Sequence, residues 1–469
     1  MHFLIDPTYN TCMNYTDTIV AAATSVGGAA IGVVRLSGSQ AQPILASIMI
    51  PHRAGQWRSR HVRYGHIVAQ DGSRIDEVLA YWMRLPTTYT GEDVVEISCH
   101  GGRVAVELVI ARCIEAGARL AHPGEFTMRA YAAGRIDLAQ AEAVMDIIQA
   151  QTPQALRQAH HQLNGWVGSA VAELRAALLY ELAAVIARID FPDDVSEDAL
   201  NPTALRAVVA RLQTYIDGAR AGILLRDGAQ VALLGRPNVG KSSLLNAFLR
   251  TNRALVSPVA GTTRDTLEES ADIHGIPVRF IDTAGIRAQT SDEVERMGIA
   301  RSRDVAASAD LALVLVDSAS PINTEDDAVR AARGTAPSIL VCTKTDLPAD
   351  PQTRTQIEQF RQSNEFLAVV AISTKTGTGV DALRELIAQT LQSGAPATDS
   401  RITNTRHRDA LIRAQQSVAD AIAGIDAHLS AELLAIDLQE AVAALGEITG
   451  EDATEALLDV VFARFCIGK

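Results

Sequence analysis

The feature that most constrains this chain is an octapeptide at residues 235–242, which reads GRPNVGKS and fits the spacing GxxxxGK[ST]. It stands between an apolar run and a stretch of helical periodicity, which is the context of a phosphate-binding loop. Its glycines let backbone N–H groups surround phosphates, its lysine adds a positive charge, and its serine hydroxyl can ligate Mg²⁺. The residues expected to bind a nucleotide here are Asn238, Val239, Gly240, Lys241, Ser242 and Ser243.

Apolar runs of strand length, separated by helical stretches, surround this motif and continue beyond it. They lie at 230–234, 278–281, 311–316, 338–342 and 367–372. Such a pattern is typical of an α/β domain with a parallel sheet. Polar motifs follow three of the runs, namely DTAG at 282–285, TKTD at 343–346 and STK at 373–375.

These polar motifs carry groups that suit a guanine nucleotide. Asp282 can hold the Mg²⁺ shell, and Gly285 can approach the γ-phosphate. The carboxylate of Asp346 can accept hydrogen bonds from the N1–H and the 2-amino group of guanine, a pair of donors that adenine does not offer. A backbone N–H of the last motif can then meet the guanine O6. The expected contacts are Asp282, Thr283, Ala284, Gly285, Thr343, Lys344, Asp346, Ser373, Thr374 and Lys375.

In this order the motifs resemble those of the GTPase family of P-loop proteins. The guanine motif usually begins with Asn, and Thr343 stands here, as in Rho-type GTPases. We expect guanine specificity with a change in how the loop is anchored. Ras-like enzymes carry a water-orienting Gln after DTAG, whereas this chain has Ile286, whose side chain forms no hydrogen bonds. The water must be held by an acidic residue of the following loop, by a monovalent cation or by a group from a partner.

Two helical segments flank the α/β region. Each repeats apolar residues at spacings of three and four, which predicts one apolar face along a long helix. These residues are Leu163, Val167, Val171, Leu174, Leu178 and Leu182 in the first segment, and Val418, Ile422, Ile425 and Leu429 in the second. The simplest account is one helical domain with the α/β domain inserted at a loop, because insertions are best tolerated at exposed tips.

We therefore expect a multidomain fold that begins with a compact α+β domain, where β-like and helical runs alternate. It is followed by a discontinuous all-α domain and an inserted α/β P-loop GTPase domain. The expected bounds are 17–135 for the N-terminal domain, 136–228 for the first helical part, 229–392 for the GTPase domain and 393–469 for the second helical part.

Charge and cysteine content narrow the function classes. The formal net charge is −13, which disfavours nucleic-acid binding through a broad basic face but allows a local basic patch. Five scattered cysteines without CxxC spacing indicate reduced thiols, a cytoplasmic location and no zinc knuckle. The longest apolar runs fall well short of the roughly 20 residues that a membrane span requires.

Several longer stretches resemble one family, MnmE/TrmE, whose members are GTPases that modify tRNA uridine. They are TGEDVVEISCHGG at 90–102, HPGEFTMRAYAAGRIDLAQAEAVMDII at 122–148, FPDDV at 191–195, VAGTTRDT at 259–266, DEVERMGI at 292–299 and the terminal CIGK at 466–469. The resemblance runs from Asp17 to Lys469. It implies a tetrahydrofolate-binding-like N-terminal domain that forms a homodimer, and a flavin-dependent partner, MnmG, in a heterotetramer or larger complex. It also implies tRNA as the substrate, with no role for DNA or a membrane.

The activity implied by the resemblance is potassium-stimulated GTP hydrolysis coupled to addition of an aminomethyl or carboxymethylaminomethyl group at C5 of the wobble uridine. The implied cofactors are Mg²⁺, K⁺ and a 5-formyl- or 5,10-methylene-tetrahydrofolate, with FAD bound only by the partner. The implied nucleotide loop comprises Ser257, Pro258, Val259, Ala260, Gly261, Thr262 and Thr263. The implied K⁺ ligands are Asn238, Ser257, Val259 and Thr262, and those of Mg²⁺ are Ser242 and Thr263.

The remaining roles also come from the resemblance. Glu295 matches the acid that orients the hydrolytic water, and Glu293 competes for this role because the preceding segment is one residue longer than usual. Cys466 lies in the family's CxGK tail and is implied to act in the modification chemistry; the alternative is a disordered chain end. The implied folate contacts are Arg35, Glu96, Arg135 and Lys469, and the alternative for each is a surface ion pair.

Two other kinds of GTPase fit the sequence less well. An RNA-binding ribosome-assembly GTPase is disfavoured because no appended basic RNA-binding domain is visible. A self-assembling mechanical GTPase is disfavoured because the sequence contains neither a membrane helix nor a long coiled coil.

Overall fold

The computed structural model describes residues 17–25, 28–191, 202–251, 269–282, 308–362, 365–392 and 402–468. Contacts divide them into two compact units, one comprising residues up to 145 together with those from 446 onward, and the other comprising residues 146–445. The domain bounds expected from the sequence stay predictions.

The first unit contains a seven-stranded sheet in the order β3-β4-β5-β6-β2-β1-β7, in which only the pairing of β1 with β7 is parallel. Its strands are β1 Ile19–Ala22, β2 Ile31–Ser37, β3 Met49–Pro51, β4 Arg63–Val68, β5 Arg74–Met83, β6 Val94–His100 and β7 Arg119–Leu120. Its helices are α1 Ala41–Ile48, α2 Arg103–Glu115, α3 Glu125–Ala132 and the start of α4 Leu138–Gln149.

One face of this sheet packs against α1 and α2, and the period of two along each strand decides which side chains reach the core. On β2, Val34 and Leu36 are buried in a cluster with Ile44 of α1 and Val109 of α2. The side chain between them, Arg35, therefore lies on the opposite face of the sheet. This alternation places polar residues such as Arg35 on the face that α1 and α2 do not cover.

The second unit combines long helices with an α/β domain. Its elements in chain order are α5 Pro153–Leu163, α6 Trp166–Asp190, α7 Pro202–Asp227, β8 Ala229–Leu234, α8 Lys241–Thr251, β9 Glu269–Ile273, β10 Ile276–Asp282, β11 Leu311–Asp317, α9 Thr324–Ala332, β12 Ser338–Thr343, α10 Pro351–Gln362, β13 Ala368–Ala371, α11 Val380–Gln392, α12 Thr405–Asp426 and α13 Ala431–Thr449.

Helices from both sides of the α/β domain pack together, which confirms the predicted discontinuous helical domain. Helix α12 lies along α7. Gln415 of α12 donates a hydrogen bond to the side chain of Gln213 of α7 at 2.8 Å. Near the start of α12, the buried Gln162 amide donates to the hydroxyl of Thr403 at 2.7 Å. These bonds join residues that are 202 and 241 positions apart in the chain.

Two predicted helix members lie outside the expected helices. Leu163 is the last residue of α5, and α6 begins only after Gly165, whose φ of 83° interrupts the helix. Leu429 follows the end of α12, where His428 adopts a φ of 54°. A change to the left-handed region ends an α-helix, so the apolar periodicity continued past the real helix ends.

The sheet of the α/β domain has the order β13-β12-β11-β8-β10-β9, and all neighbours are parallel except β9 with β10. Every residue of β11 and β12 is buried, as expected for central parallel strands covered on both faces. The predicted strands are confirmed. In the turn between β9 and β10, the Gly275 carbonyl accepts a hydrogen bond from the Thr152 hydroxyl at 2.8 Å, beside the start of α5.

The C-terminal segment belongs to the first unit. It contains α14 Glu455–Phe462, whose Phe462 is buried together with Phe465, Met128 and Leu138. The Tyr131 hydroxyl donates to the Gly450 carbonyl at 2.7 Å. Of the helices in the ranges that the structure describes, none is long and apolar enough to cross a bilayer.

Candidate functional site

The phosphate-binding motif forms the loop between β8 and α8, as predicted. Gly240 has a φ of 112°, a conformation that side chains with a Cβ rarely adopt. Asn238 has a φ of 61° and is exposed at the loop tip. At Gly235 an added Cβ would lie 2.8 Å from the Val239 side chain, so only glycine fits there. The sequence therefore folds this loop with its backbone close to any bound anion.

Lys241, the first residue of α8, is buried and points its ammonium group into the loop. It donates hydrogen bonds to the carbonyls of Gly235 and Arg236, the second at 2.9 Å. Ser242 follows on the exposed side of the first helical turn. A cation and a hydroxyl at this helix start are the groups that a magnesium-bound phosphate chain requires.

Thr343 ties the guanine motif to the phosphate loop. Its hydroxyl, at the end of β12, lies 2.7 Å from the Val239 carbonyl and 3.2 Å from the Val316 carbonyl, and the side chain is 2% exposed. The sequence predicted that Thr in place of Asn changes how the guanine motif is anchored. In the structure the anchor is a direct hydrogen bond from the Thr343 hydroxyl to the phosphate loop.

Lys344 follows in the left-handed conformation, with a φ of 57°. Its ammonium group donates to Asp317, at the end of β11, at 2.7 Å. Burial would raise the pKa of Asp317, but the hydrogen bonds and charge of Lys344 and the Ala319 N–H outweigh it, so this pKa lies below its ordinary value. Asp317 therefore carries a full negative charge that holds Lys344 in place.

Asp346 and Ser373 form the expected base-reading corner. The buried Ser373 hydroxyl donates to the Asp346 carboxylate at 2.8 Å. The Thr345 N–H also donates to the Ile372 carbonyl at 3.2 Å, which joins the two loops through their backbones. Asp346 is exposed, so its second carboxylate oxygen can face a base. Thr374 and Lys375 lie on the same loop, and Lys375 is exposed.

Sequence reasoning missed two acids beside this site. Asp317 has no motif of its own and is found only from the parallel pairing of β11 with β12. Asp326, in the first turn of α9, lies 3.5 Å from Arg236 of the phosphate loop. Burial raises the pKa of Asp326, and the bond from the Asn323 N–H and the charge of Arg236 only partly offset this.

Several predicted site residues lie outside the described residues, and for Asp282 only the backbone, at the end of β10, is described. Those outside are Ser257, Pro258, Val259, Ala260, Gly261, Thr262, Thr263, Thr283, Ala284, Gly285, Ile286, Glu293, Glu295 and Lys469.

In the first unit, Arg35 and Glu96 face each other across β2 and β6. Arg35 donates to one Glu96 carboxylate oxygen through Nε at 2.9 Å and Nη2 at 2.8 Å. Tyr81, opposite Glu96 on β5, donates to the other oxygen. Burial and the bond to Glu96 raise the pKa of Tyr81 to about 12. Tyr81 thus stays a donor at neutral pH, and sequence reasoning missed it.

Arg135 lines a cavity of about 450 Å³ together with Tyr81. Its backbone N–H donates to the Ala130 carbonyl at 3.0 Å, which fixes it just after α3. Burial raises the pKa of Tyr89, and the charges of Arg35 and Arg135 partly offset that rise. The Arg35 guanidinium lies 5.9 Å from the centre of the Tyr89 ring. The cavity lining is Arg60, Val62, Tyr81, Met83, Thr87, Thr88, Tyr89 and Arg135.

Cys466 lies in a tail that packs against the N-terminal part of the chain. Its carbonyl accepts from the Gly124 N–H at 3.4 Å, and its thiol is exposed. At Gly468, with a φ of 97°, an added Cβ would meet the Ala22 carbonyl at 2.0 Å. Glycine therefore allows the tail to lie against the end of β1.

The loop, its lysine and the base-reading corner define a P-loop domain that binds guanine nucleotide. The chain matches the family model of the MnmE helical domain over residues 138–466 and that of the GTP-binding protein TrmE N-terminus over residues 18–135. It thus belongs to the MnmE/TrmE family of tRNA modification GTPases.

Full-length relatives agree with this placement. The tRNA modification GTPase MnmE of Roseiflexus sp. (strain RS-1) is 48% identical over 463 residues, which cover 97% of this chain and 100% of the relative. That of Chloroflexus aurantiacus is 48% identical over 456 residues, with the same coverage. A crystal structure of Aquifex aeolicus Era bound to GDP.AlF4⁻ is 27% identical, covers 40% of this chain and 66% of that chain, and has a TM-score of 0.29.

Proposed function

We propose that this protein hydrolyses GTP to drive modification of C5 of the wobble uridine in tRNA, together with a flavin-dependent partner. The observation that carries the proposal is the bond from Thr343 to the phosphate loop next to the Asp346–Ser373 pair, in a chain of this family. That arrangement supports GTP as the nucleotide because it joins phosphate binding to guanine recognition.

Within the nucleotide site each described residue has a distinct part. Lys241 contributes positive charge, and the exposed Ser242 hydroxyl suits an oxygen-preferring Mg²⁺. Asn238 presents its amide at the exposed loop tip, where it supports a K⁺ ion beside the phosphates. When bound, such a cation stabilises the charge that develops between the β- and γ-phosphates, as an arginine finger does. Glu295 is proposed to orient the attacking water, with Glu293 as the alternative.

The residues of the first unit support a tetrahydrofolate site. The cavity of about 450 Å³ is lined by Tyr81 and Tyr89, and Arg135 in the same lining suits the carboxylate tail. When bound, the folate supplies the one-carbon unit. Glu96 already accepts hydrogen bonds from Arg35 and Tyr81, so a pterin that donates to Glu96 has to take the place of the Tyr81 hydroxyl. Cys466 is proposed to act in the modification step, and Lys469 to contact the folate.

A homodimer is proposed through the sheet face that α1 and α2 do not cover. On this face Ile50 and Leu79 are 57% and 48% exposed. Neighbouring exposed apolar side chains on one sheet are typical of a surface that a partner covers.

The proposal is tested in cells and with purified protein. Mass spectrometry of wobble nucleosides from a strain without the gene should show loss of the modified uridine, and the wild-type gene should restore it. GTP turnover should fall sharply when Na⁺ replaces K⁺ at equal ionic strength. Unchanged nucleosides would contradict the tRNA function, and equal rates in both salts would remove K⁺ from the mechanism.

A further inference from the structure

A strongly basic loop connects β3 to β4. Residues 52–63, here called the basic loop, read HRAGQWRSRHVR and contain four arginines, two histidines and no acid. The chain as a whole carries a formal net charge of −13. A concentration of positive charge on an acidic protein marks a place where an anion is bound.

Two of the four arginines hold the loop in shape. Arg63 donates to the carbonyls of Gly55 and Arg53, the first at 2.8 Å, and its guanidinium lies 4.9 Å from the centre of the Trp57 ring. Arg60, with a φ of 65°, donates to the Thr87 hydroxyl at 2.8 Å. Their partners are carbonyls, a hydroxyl and a ring, so their charges are not neutralised by carboxylates.

The other two arginines, Arg53 and Arg58, are exposed. Within the described part of the chain, none of the four arginines forms an ion pair. Arg53 and Arg58 line a depression of about 480 Å³ together with His52, His61 and Tyr64. The loop thus presents two free guanidinium groups around a hollow with aromatic and imidazole walls, a chemistry that suits phosphates and bases.

The depression adjoins the proposed folate cavity, because Val62 lines both. A uridine that receives a carbon unit must come close to the donor, and the phosphates on either side of that nucleotide must lie nearby. We infer that the basic loop binds the tRNA backbone beside the folate cavity, with Arg53 and Arg58 on phosphates. This inference rests on the proposed function and adds a surface to it.

Two other occupants fit the loop less well. A folate tail needs one or two cations, and the folate cavity already has Arg60 and Arg135 in its lining. A second copy related by twofold symmetry would bring the same arginines towards each other, and like charges disfavour such a contact. RNA fits the loop better, because its many negative phosphates can use all of the free arginines and are attracted to them.

The test measures binding of an unmodified tRNA transcript to the purified full-length protein by fluorescence anisotropy over a range of KCl concentrations. The variant is Arg53→Ala with Arg58→Ala. Each lost phosphate contact lowers the salt slope by about 0.7 to 0.9. Loss of two contacts should therefore weaken tRNA binding by a further factor of about 25 to 60 at 0.1 M salt, compared with its effect at 1 M salt. Arg53→Lys with Arg58→Lys should keep most of the slope, because the charge remains.

A matched control removes two exposed arginines that already have acidic partners. Arg103→Ala with Arg361→Ala changes the net charge equally, but Arg103 pairs with Glu107 at 2.7 Å and Arg361 with Glu358 at 3.5 Å. This control should bind tRNA like the wild type. GTP turnover and thermal stability should stay unchanged in the basic-loop variant, since neither side chain makes a described contact.

Three results would overturn the inference. The first is an unchanged affinity and salt slope in the basic-loop variant. The second is normal tRNA binding with loss of polyglutamylated folate, which would assign the loop to the cofactor tail. The third is dissociation of the dimer in sedimentation with tRNA binding retained. Because these three results concern binding and assembly rather than uridine modification, they leave the proposed function intact, whereas unchanged wobble nucleosides in the deletion strain would contradict that function alone.

Discussion

The bond from Thr343 to the phosphate loop makes a quantitative prediction about nucleotide affinity. Thr343→Val keeps the shape of the side chain and removes its hydroxyl. The Val239 carbonyl, 2.7 Å away in a buried position, then loses its donor. An unsatisfied buried group costs about 1–3 kcal/mol. Because this carbonyl belongs to the loop that surrounds the phosphates, we expect GDP affinity to fall about tenfold, equivalent to about 1.4 kcal/mol.

The assay is titration of a fluorescent GDP analogue, with urea unfolding measured in parallel. Ser338→Ala is the matched control, because Ser338 lies at the other end of β12, is 2% exposed and donates to the Ala336 carbonyl at 2.6 Å. Both variants should unfold more easily, but only Thr343→Val should bind GDP less tightly. Equal GDP affinity in both variants would refute the anchoring role of Thr343.

Two further predictions concern the base-reading corner and the sheet of the first unit. Asp346→Asn should shift preference from GTP towards xanthosine triphosphate in competition binding, because the amide donates where the carboxylate accepts; an unchanged preference would contradict the assignment. The pKa of Tyr81, raised to about 12 by burial and Glu96 from the ordinary 10.0, predicts stability that is complete below pH 10 and is lost as the pH rises towards 12. Tyr81→Phe should therefore lose less unfolding free energy than the wild type over that range, and equal losses would show that Tyr81 does not titrate there.

Local patterns in the sequence were sufficient for the α/β domain. Its strands are continuous apolar runs such as 311–316, because a central parallel strand is buried on both of its faces. The phosphate loop and the base-reading motif carry their own spacing. Helix ends were harder to predict, because at Leu163 the apolar periodicity continued across Gly165, where the backbone turns.

Contacts between distant segments could not be predicted from spacing. Tyr81 reaches Glu96 only because β5 pairs with β6 in one register, and a shift of one residue would turn Tyr81 to the other face. Thr343 in place of Asn predicted a change in how the guanine motif is anchored. The sequence did not identify its partner, the Val239 carbonyl, because that contact depends on where β12 ends relative to the phosphate loop. The sequence analysis allowed a local basic patch without locating it, and only the structure shows that Arg60 and Arg63 donate to backbone carbonyls rather than to acids.

Strand β10 has a mechanical consequence. One end, at Ile276, adjoins the turn whose Gly275 carbonyl is bonded to Thr152 of the helical segment, and the other end, at Asp282, enters the DTAG motif. Seven residues of extended chain form a rod of roughly 20 Å that resists stretching. The nucleotide motif and the helical segment are therefore fixed to opposite ends of one stiff strand, so the spacing between these two attachment points is set by the sheet rather than by a loop.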